Sequence, residues 1–148
     1  MYRQILVHPD HRKFQMIVWR SHQNHKLSYY QLNTITYGTA SAPFLAIRCS
    51  KQVGIENENQ NHSCSEIIRN DFYMDDLLTG ADSIEEAIHI STDLTKILSS
   101  AGFHLRKWRS NSTEVLSAIL RNYDESKQKT DNNYEIHKNH EVKTLGVL

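Results

Sequence analysis

Two adjacent acids, Asp75 and Asp76, interrupt an apolar run made of Phe72, Tyr73, Met74, Leu77 and Leu78. Side by side in a half-buried strand, two carboxylates lose hydration and repel each other. The segment therefore reads as two short strands, Phe72–Met74 and Leu77–Thr79, with the acids at the turn between them and their apolar flanks anchored below. Such hard oxygens suit a divalent cation, and Mg²⁺ keeps waters or substrate phosphates as its other ligands. Two cations about 3.5–4 Å apart activate an attacking hydroxyl and stabilise a leaving phosphate oxygen. A plain solvated hairpin turn is built from the same residue types.

The rest of the chain reads as strand pairs followed by helices. MYRQILV alternates as a strand does and ends at Pro9-Asp10; Phe14 to Arg20, the polar turn SHQNHK and LSYYQL then make an antiparallel pair. Ser41 and Pro43 suit the start of a helix that runs to about Val53 and closes at Gly54. ENENQNHS is a loop, with a short helix over Cys64 to Arg69. Ser83 with Glu86 forms a capping box, after which Ile84, Ala87, Ile88, Leu94, Ile97, Leu98 and Ala101 share a helical face ended by Gly102. Phe103 to Trp108 reads as a strand, Asn111 with Glu114 as a second capping pattern, and a helix then reaches about Arg121. Residues 123–141 are a polar loop or disordered insert, before a strand over VKTLGVL. The expected class is α+β, an antiparallel sheet with helices on one face.

With 148 residues the chain is long enough for one domain with a real core. Seventeen basic residues balance seventeen acidic ones, so any nucleic-acid site must be local. Cys49 and Cys64 cannot form a disulfide framework, and no run resembles a signal peptide or membrane span, so the expected location is intracellular. The pairs His8/His11, His22/His25 and His137/His140 invite a zinc reading. A structural zinc site needs four placed ligands, usually with clustered cysteines, so polar turn histidines explain them better. Glu85 and Glu86 suit a helix N-terminus rather than a catalytic pair. Trp108, between Lys107 and Arg109, is either a base-stacking platform or a core tryptophan.

Five ordered segments carry a resemblance. FYMDD resembles the Tyr-x-Asp-Asp motif of reverse transcriptases, and TYGTASAPFLA (Thr36 to Ala46) their Gly-x-x-x-x-Pro segment. MYRQILVHPDHRKFQMIVWR resembles the remainder of their first acidic motif and the following strand, AGFHLRKWRSN the Gly-plus-basic segment, and KTLGVL the start of the primer grip. The wording DFYMDDLLTGA, YGTASAPF and AGFHLRKW is most similar to the Bel/Pao group of LTR retrotransposons.

The resemblance implies a polymerase palm-like fold, with residues 1–148 a partial fingers and palm domain truncated at both ends. It implies two Mg²⁺ (or Mn²⁺) ions, deoxynucleoside triphosphates and an RNA or DNA template-primer as partners, in a cytoplasmic particle or the nucleus. Asp75 would be the metal ligand and Asp76 a supporting carboxylate. Tyr73 and Met74 would lie near the primer end, and Pro43 against the template. Tyr2 would be the aromatic gate that selects deoxynucleotides, with Tyr37, Gly38 and Lys107 also at the nucleotide. Lys107 and Arg109 both suit a phosphate-facing role. The family's first-motif aspartate would fall just upstream of Met1, so the resemblance implies an internal methionine of a longer reading frame, inactive alone. The alternative is a non-catalytic nucleic-acid-binding or interaction remnant of a transposable element.

Overall fold

The computed structural model describes residues 1–127 and 146–147. They form a mixed α/β arrangement of five helices and small two-stranded sheets, in two compact units, 1–49 and 50–148.

The first unit opens with a 3-10 turn at Tyr2–Gln4, where a strand is expected. Gln4 and Ile5 donate backbone N–H to the carbonyls of Met1 and Tyr2, which curls the chain. A single bridge, Leu6 to Thr34, keeps extended pairing, flanked by backbone hydrogen bonds from Val7 to Asn33 and from Ile35 to Ile5. A short helix, α1 (Pro9–Arg12), has Pro9 in its first turn, where a missing N–H costs nothing. Strands β1 (Met16–Trp19) and β2 (Ser28–Gln31) pair antiparallel, Met16 opposite Gln31 and Trp19 opposite Ser28. Ile5, Ile35, Ala42 and Ala46 are buried.

Helix α2 (Ala42–Asn57) starts as expected, Ser41 offering its carbonyl to the Leu45 N–H, but it does not stop at Gly54. The reason is packing. A Cβ at Gly54 would lie 2.7 Å from Arg69 Cγ, 3.1 Å from the Ser65 carbonyl and 3.3 Å from Ile68 Cγ2. This glycine lets α2 approach α3 (His62–Asn70) rather than ending a helix.

In the second unit, α3 begins two residues earlier than expected because Asn61 caps it, accepting from the Cys64 N–H at 3.0 Å. The Asn61 amide donates at 3.0 Å to Asp93 on α4 (Ile84–Ser100). Helix α4 follows the sequence closely. Ser83 Oγ accepts from the Glu86 N–H, the Glu86 carboxylate takes the Asp82 N–H, and Gly102 adopts φ +83° past its end. Its buried stripe is Ala87, Ser91, Leu94 and Leu98, spaced at helical intervals. Ile84 and Ala101, expected on that face, are exposed.

Phe103 to Trp108 is not a strand: Phe103 is buried, but Lys107 takes φ +59°, outside the extended region that strand residues occupy. The strand is β5 (Arg109–Ser110), paired parallel with β6 (Gly146–Val147). Helix α5 (Thr113–Lys127) is started by Ser112, whose Oγ accepts from Val115, rather than by Asn111, and it runs past Arg121. Residues 123–127 of the expected polar insert are therefore helical, and 128–141 lie outside the described residues. Val115 and Ile119 of α5 pack on Ala87, with Ala81, Ile88 and Trp108 around them.

The expected single antiparallel sheet is not found among the described residues. Three separate two-stranded sheets stand in its place, two antiparallel and one parallel.

Candidate metal-binding hairpin and aromatic pair

The Asp-Asp segment is an antiparallel hairpin, shorter than the sequence suggests. Strands β3 (Phe72–Tyr73) and β4 (Asp76–Leu77) pair Phe72 with Leu77 and Tyr73 with Asp76. The Leu78 N–H donates to the Asp71 carbonyl and closes the base. Met74 and Asp75 form a two-residue loop, so Asp75 sits at the tip while Asp76 already belongs to β4. Met74 carries φ +55°, a left-handed position that glycine normally takes in so short a hairpin. That backbone is the one strained point of the loop.

The hairpin is anchored by one side chain. Leu77 is 5% exposed, whereas Tyr73 is 79% exposed and Met74, Asp75 and Asp76 face water. A small cavity of about 20 Å³ reaches Leu77 and is lined by Ala81, Ala87, Leu94, Leu105 and Trp108. The exposed setting answers the cost of two adjacent acids: neither carboxylate is withdrawn from solvent.

The donor set of this hairpin is two hard carboxylates, Asp75 at the tip and Asp76 on β4, a type of donor that suits a cation completed by waters or phosphate oxygens. Among the described residues, no group of three or more His, Cys, Asp or Glu side chains is placed to hold a metal ion. The histidine pairs make ring contacts instead, His8 with His11 at 5.7 Å and His22 with His25 at 5.0 Å. His137 and His140 lie outside the described residues.

In the first unit, Tyr2 and Tyr37 come together, their rings edge to face at 4.7 Å. Gly38 follows with φ +86°, and a Cβ there would meet nothing, so conformation rather than space demands glycine. Pro43 is exposed in the first turn of α2. Lys107 is exposed on its left-handed backbone, and Arg109 is half-buried in β5. Trp108 resolves toward the core: it packs against the Ala87, Val115 and Ile119 cluster, its Nε1 buried with no hydrogen-bond partner among the described residues.

Sequence reasoning gave no role to Trp19, Tyr29 and Tyr30, which are exposed on β1 and β2. The signal was present. MIVW is apolar at successive positions, as in strands covered on both faces, yet the sheet has two strands and both faces are open.

No family model, curated protein or solved structure matches the chain. No helix among the described residues is long and apolar enough to cross a membrane.

Proposed function

We propose that the chain is a palm and fingers piece of a Bel/Pao-type reverse transcriptase, built for two-metal transfer of deoxynucleotides to a primer 3′ hydroxyl. The observation that carries this reading is the hairpin: an Asp75 tip, Asp76 opposite Tyr73, and Leu77 as the buried anchor. Asp75 serves as metal ligand and Asp76 as the supporting carboxylate, with Tyr73 and Met74 toward the primer end. The Tyr2–Tyr37 contact supports their shared assignment to the nucleotide together with the adjoining Gly38; Lys107 is assigned to the nucleotide from the sequence resemblance. Pro43 is assigned to the template. Bound Mg²⁺ or Mn²⁺ would supply charge stabilisation to the attacking and leaving oxygens. The chain's own contribution is to hold two exposed carboxylates on one hairpin, Asp75 at the tip and Asp76 on β4.

Two carboxylates are fewer than the family uses. The alternative reading is a non-catalytic nucleic-acid-binding or interaction remnant of a transposable element. The reading is tested at two levels. Titration of labelled protein with Mn²⁺ is expected to broaden the amide signals of 73–77 selectively, and Asp75→Asn is expected to remove that broadening. The chain alone is expected to give no primer extension. A polypeptide that joins this chain to a first-motif aspartate, upstream fingers strands and a thumb is expected to synthesise DNA, to lose synthesis with Asp75→Asn, and to keep it with Glu85→Gln. Uniform Mn²⁺ broadening, or synthesis that survives Asp75→Asn, overturns the proposal.

A further inference from the structure

The neutral net charge conceals an uneven distribution. Residues 1–49 contain Arg3, Arg12, Lys13, Arg20, Lys26 and Arg48 against a single acid, Asp10. The remaining residues hold eleven basic side chains against sixteen acidic ones. The first unit is thus basic by itself, the local footprint that a polyanion needs.

Its most exposed apolar surface is the β1–β2 hairpin. Cross-strand pairing puts Ile17 opposite Tyr30 and Trp19 opposite Ser28, so Ile17, Trp19 and Tyr30 share one face. They are 41%, 60% and 46% exposed. Trp19 and Tyr30 are diagonal neighbours there, a separation of about 7–8 Å or less between strands. Arg20 and Lys26 bracket the exposed turn that joins the strands, and neither has an ion-pair partner among the described residues. Two exposed aromatic rings on one face of a two-stranded ribbon, with cations at its end that have no ion-pair partner among the described residues, are the elements of a stacking platform for unpaired bases. A second copy of the same face fits less well, because it brings the same excess of positive charge.

We infer that the β1–β2 hairpin binds single-stranded nucleic acid, stacking bases on Trp19 and Tyr30 while Arg20 and Lys26 hold phosphates. The inference stands apart from the Asp75–Asp76 reading and uses none of its residues. Strands of four residues span about 13 Å, room for only a few nucleotides, so the site is short and sequence-tolerant.

The test uses the full chain and a short fluorescein-labelled oligothymidylate at low salt. Anisotropy is expected to report binding that weakens with salt, with a log–log slope near −1.4 for about two neutralised phosphates. Trp19→Ala and Tyr30→Ala are each expected to weaken binding about tenfold. Trp19→Phe is expected to keep binding but abolish the tryptophan quenching that accompanies it, because Trp108 is packed in the core. Arg20→Glu with Lys26→Glu is expected to flatten the salt slope. Glu85→Gln, exposed in the first turn of α4, is expected to leave oligonucleotide binding unchanged; the Mn²⁺ readout at 73–77 is separate, so loss of the metal reading leaves this one intact. Unaltered binding in Trp19→Ala refutes the platform. So does a monomer–dimer equilibrium in sedimentation that Trp19→Ala dissolves, which would assign the face to a second copy.

Discussion

Gly54→Ala is expected to destabilise the protein although alanine is the better helix former. In a free helix the exchange gains about 1 kcal/mol. Here the new methyl meets Arg69 Cγ at 2.7 Å, the Ser65 carbonyl at 3.1 Å and Ile68 Cγ2 at 3.3 Å. Arg69 is part-exposed and can swing aside, giving up its 3.5 Å ion pair with Glu58; a surface pair of that kind contributes about 0–1 kcal/mol. The other two contacts cannot yield as easily. Ser65 is helix backbone in a fully buried turn, and Ile68 has no exposed surface. Overpacking of this kind costs about 1–3 kcal/mol and the lost pair about 0–1, so after the propensity gain of about 1 the net loss is centred on about 1.5 kcal/mol, in a span of about 0–3. At about 2–4 °C per kcal/mol for a chain of 148 residues, that is a fall in Tm of about 3–6 °C. Urea unfolding followed by circular dichroism measures it, and Gly54→Val should lose more. A Gly54→Ala protein that melts at or above the parent temperature would show that α2 does not approach α3 closely, and the reasoning would fail.

Ser65→Ala should raise stability by about 1 kcal/mol, since the Ser65 hydroxyl is buried with no hydrogen-bond partner among the described residues; a lower urea midpoint would mean the hydroxyl is satisfied. Cys64 is held up at about 11, mainly by burial and then by the Asp93 carboxylate, against the Asn61 hydrogen bond. Folded protein at pH 8 should therefore resist a thiol reagent at Cys64 until it unfolds, with Cys49, raised by burial but less enclosed, reacting first. Because the unfolded thiol ionises near 9.0 and the folded one does not, Cys64 also lowers stability as pH rises from about 9 to about 11. Cys64→Ser should remove that slope, and an unchanged alkaline profile would count against it.

The elements that were legible are those whose signals are local. Ser83, Glu86 and Gly102 each act within one turn, so α4 could be bounded from its own residues. The Asp-Asp hairpin was legible for the same reason: adjacent charges between apolar flanks leave one arrangement that hydrates them. Illegible features depend on partners distant in sequence. Alternation in MYRQILV satisfies a strand, but a strand needs a ladder, and pairing here is confined to one bridge at Leu6 with the bonds of Ile5 and Val7 around it. Gly54 looks like a stop until Ser65 and Ile68 are seen against it. The Tyr2–Tyr37 contact follows from no local pattern, and the left-handed Lys107 broke a segment that composition alone left extended.

Asn61 couples two events that are usually separate. Its carbonyl oxygen starts α3 while its amide donors reach Asp93 in the middle of α4. Fraying at the α3 N-terminus must therefore break a tertiary bond, and lifting α4 must release a cap. In native-state hydrogen exchange, the Cys64 amide and the α4 amides around Asp93 should open as one cooperative unit rather than as an end that breathes independently of its neighbour.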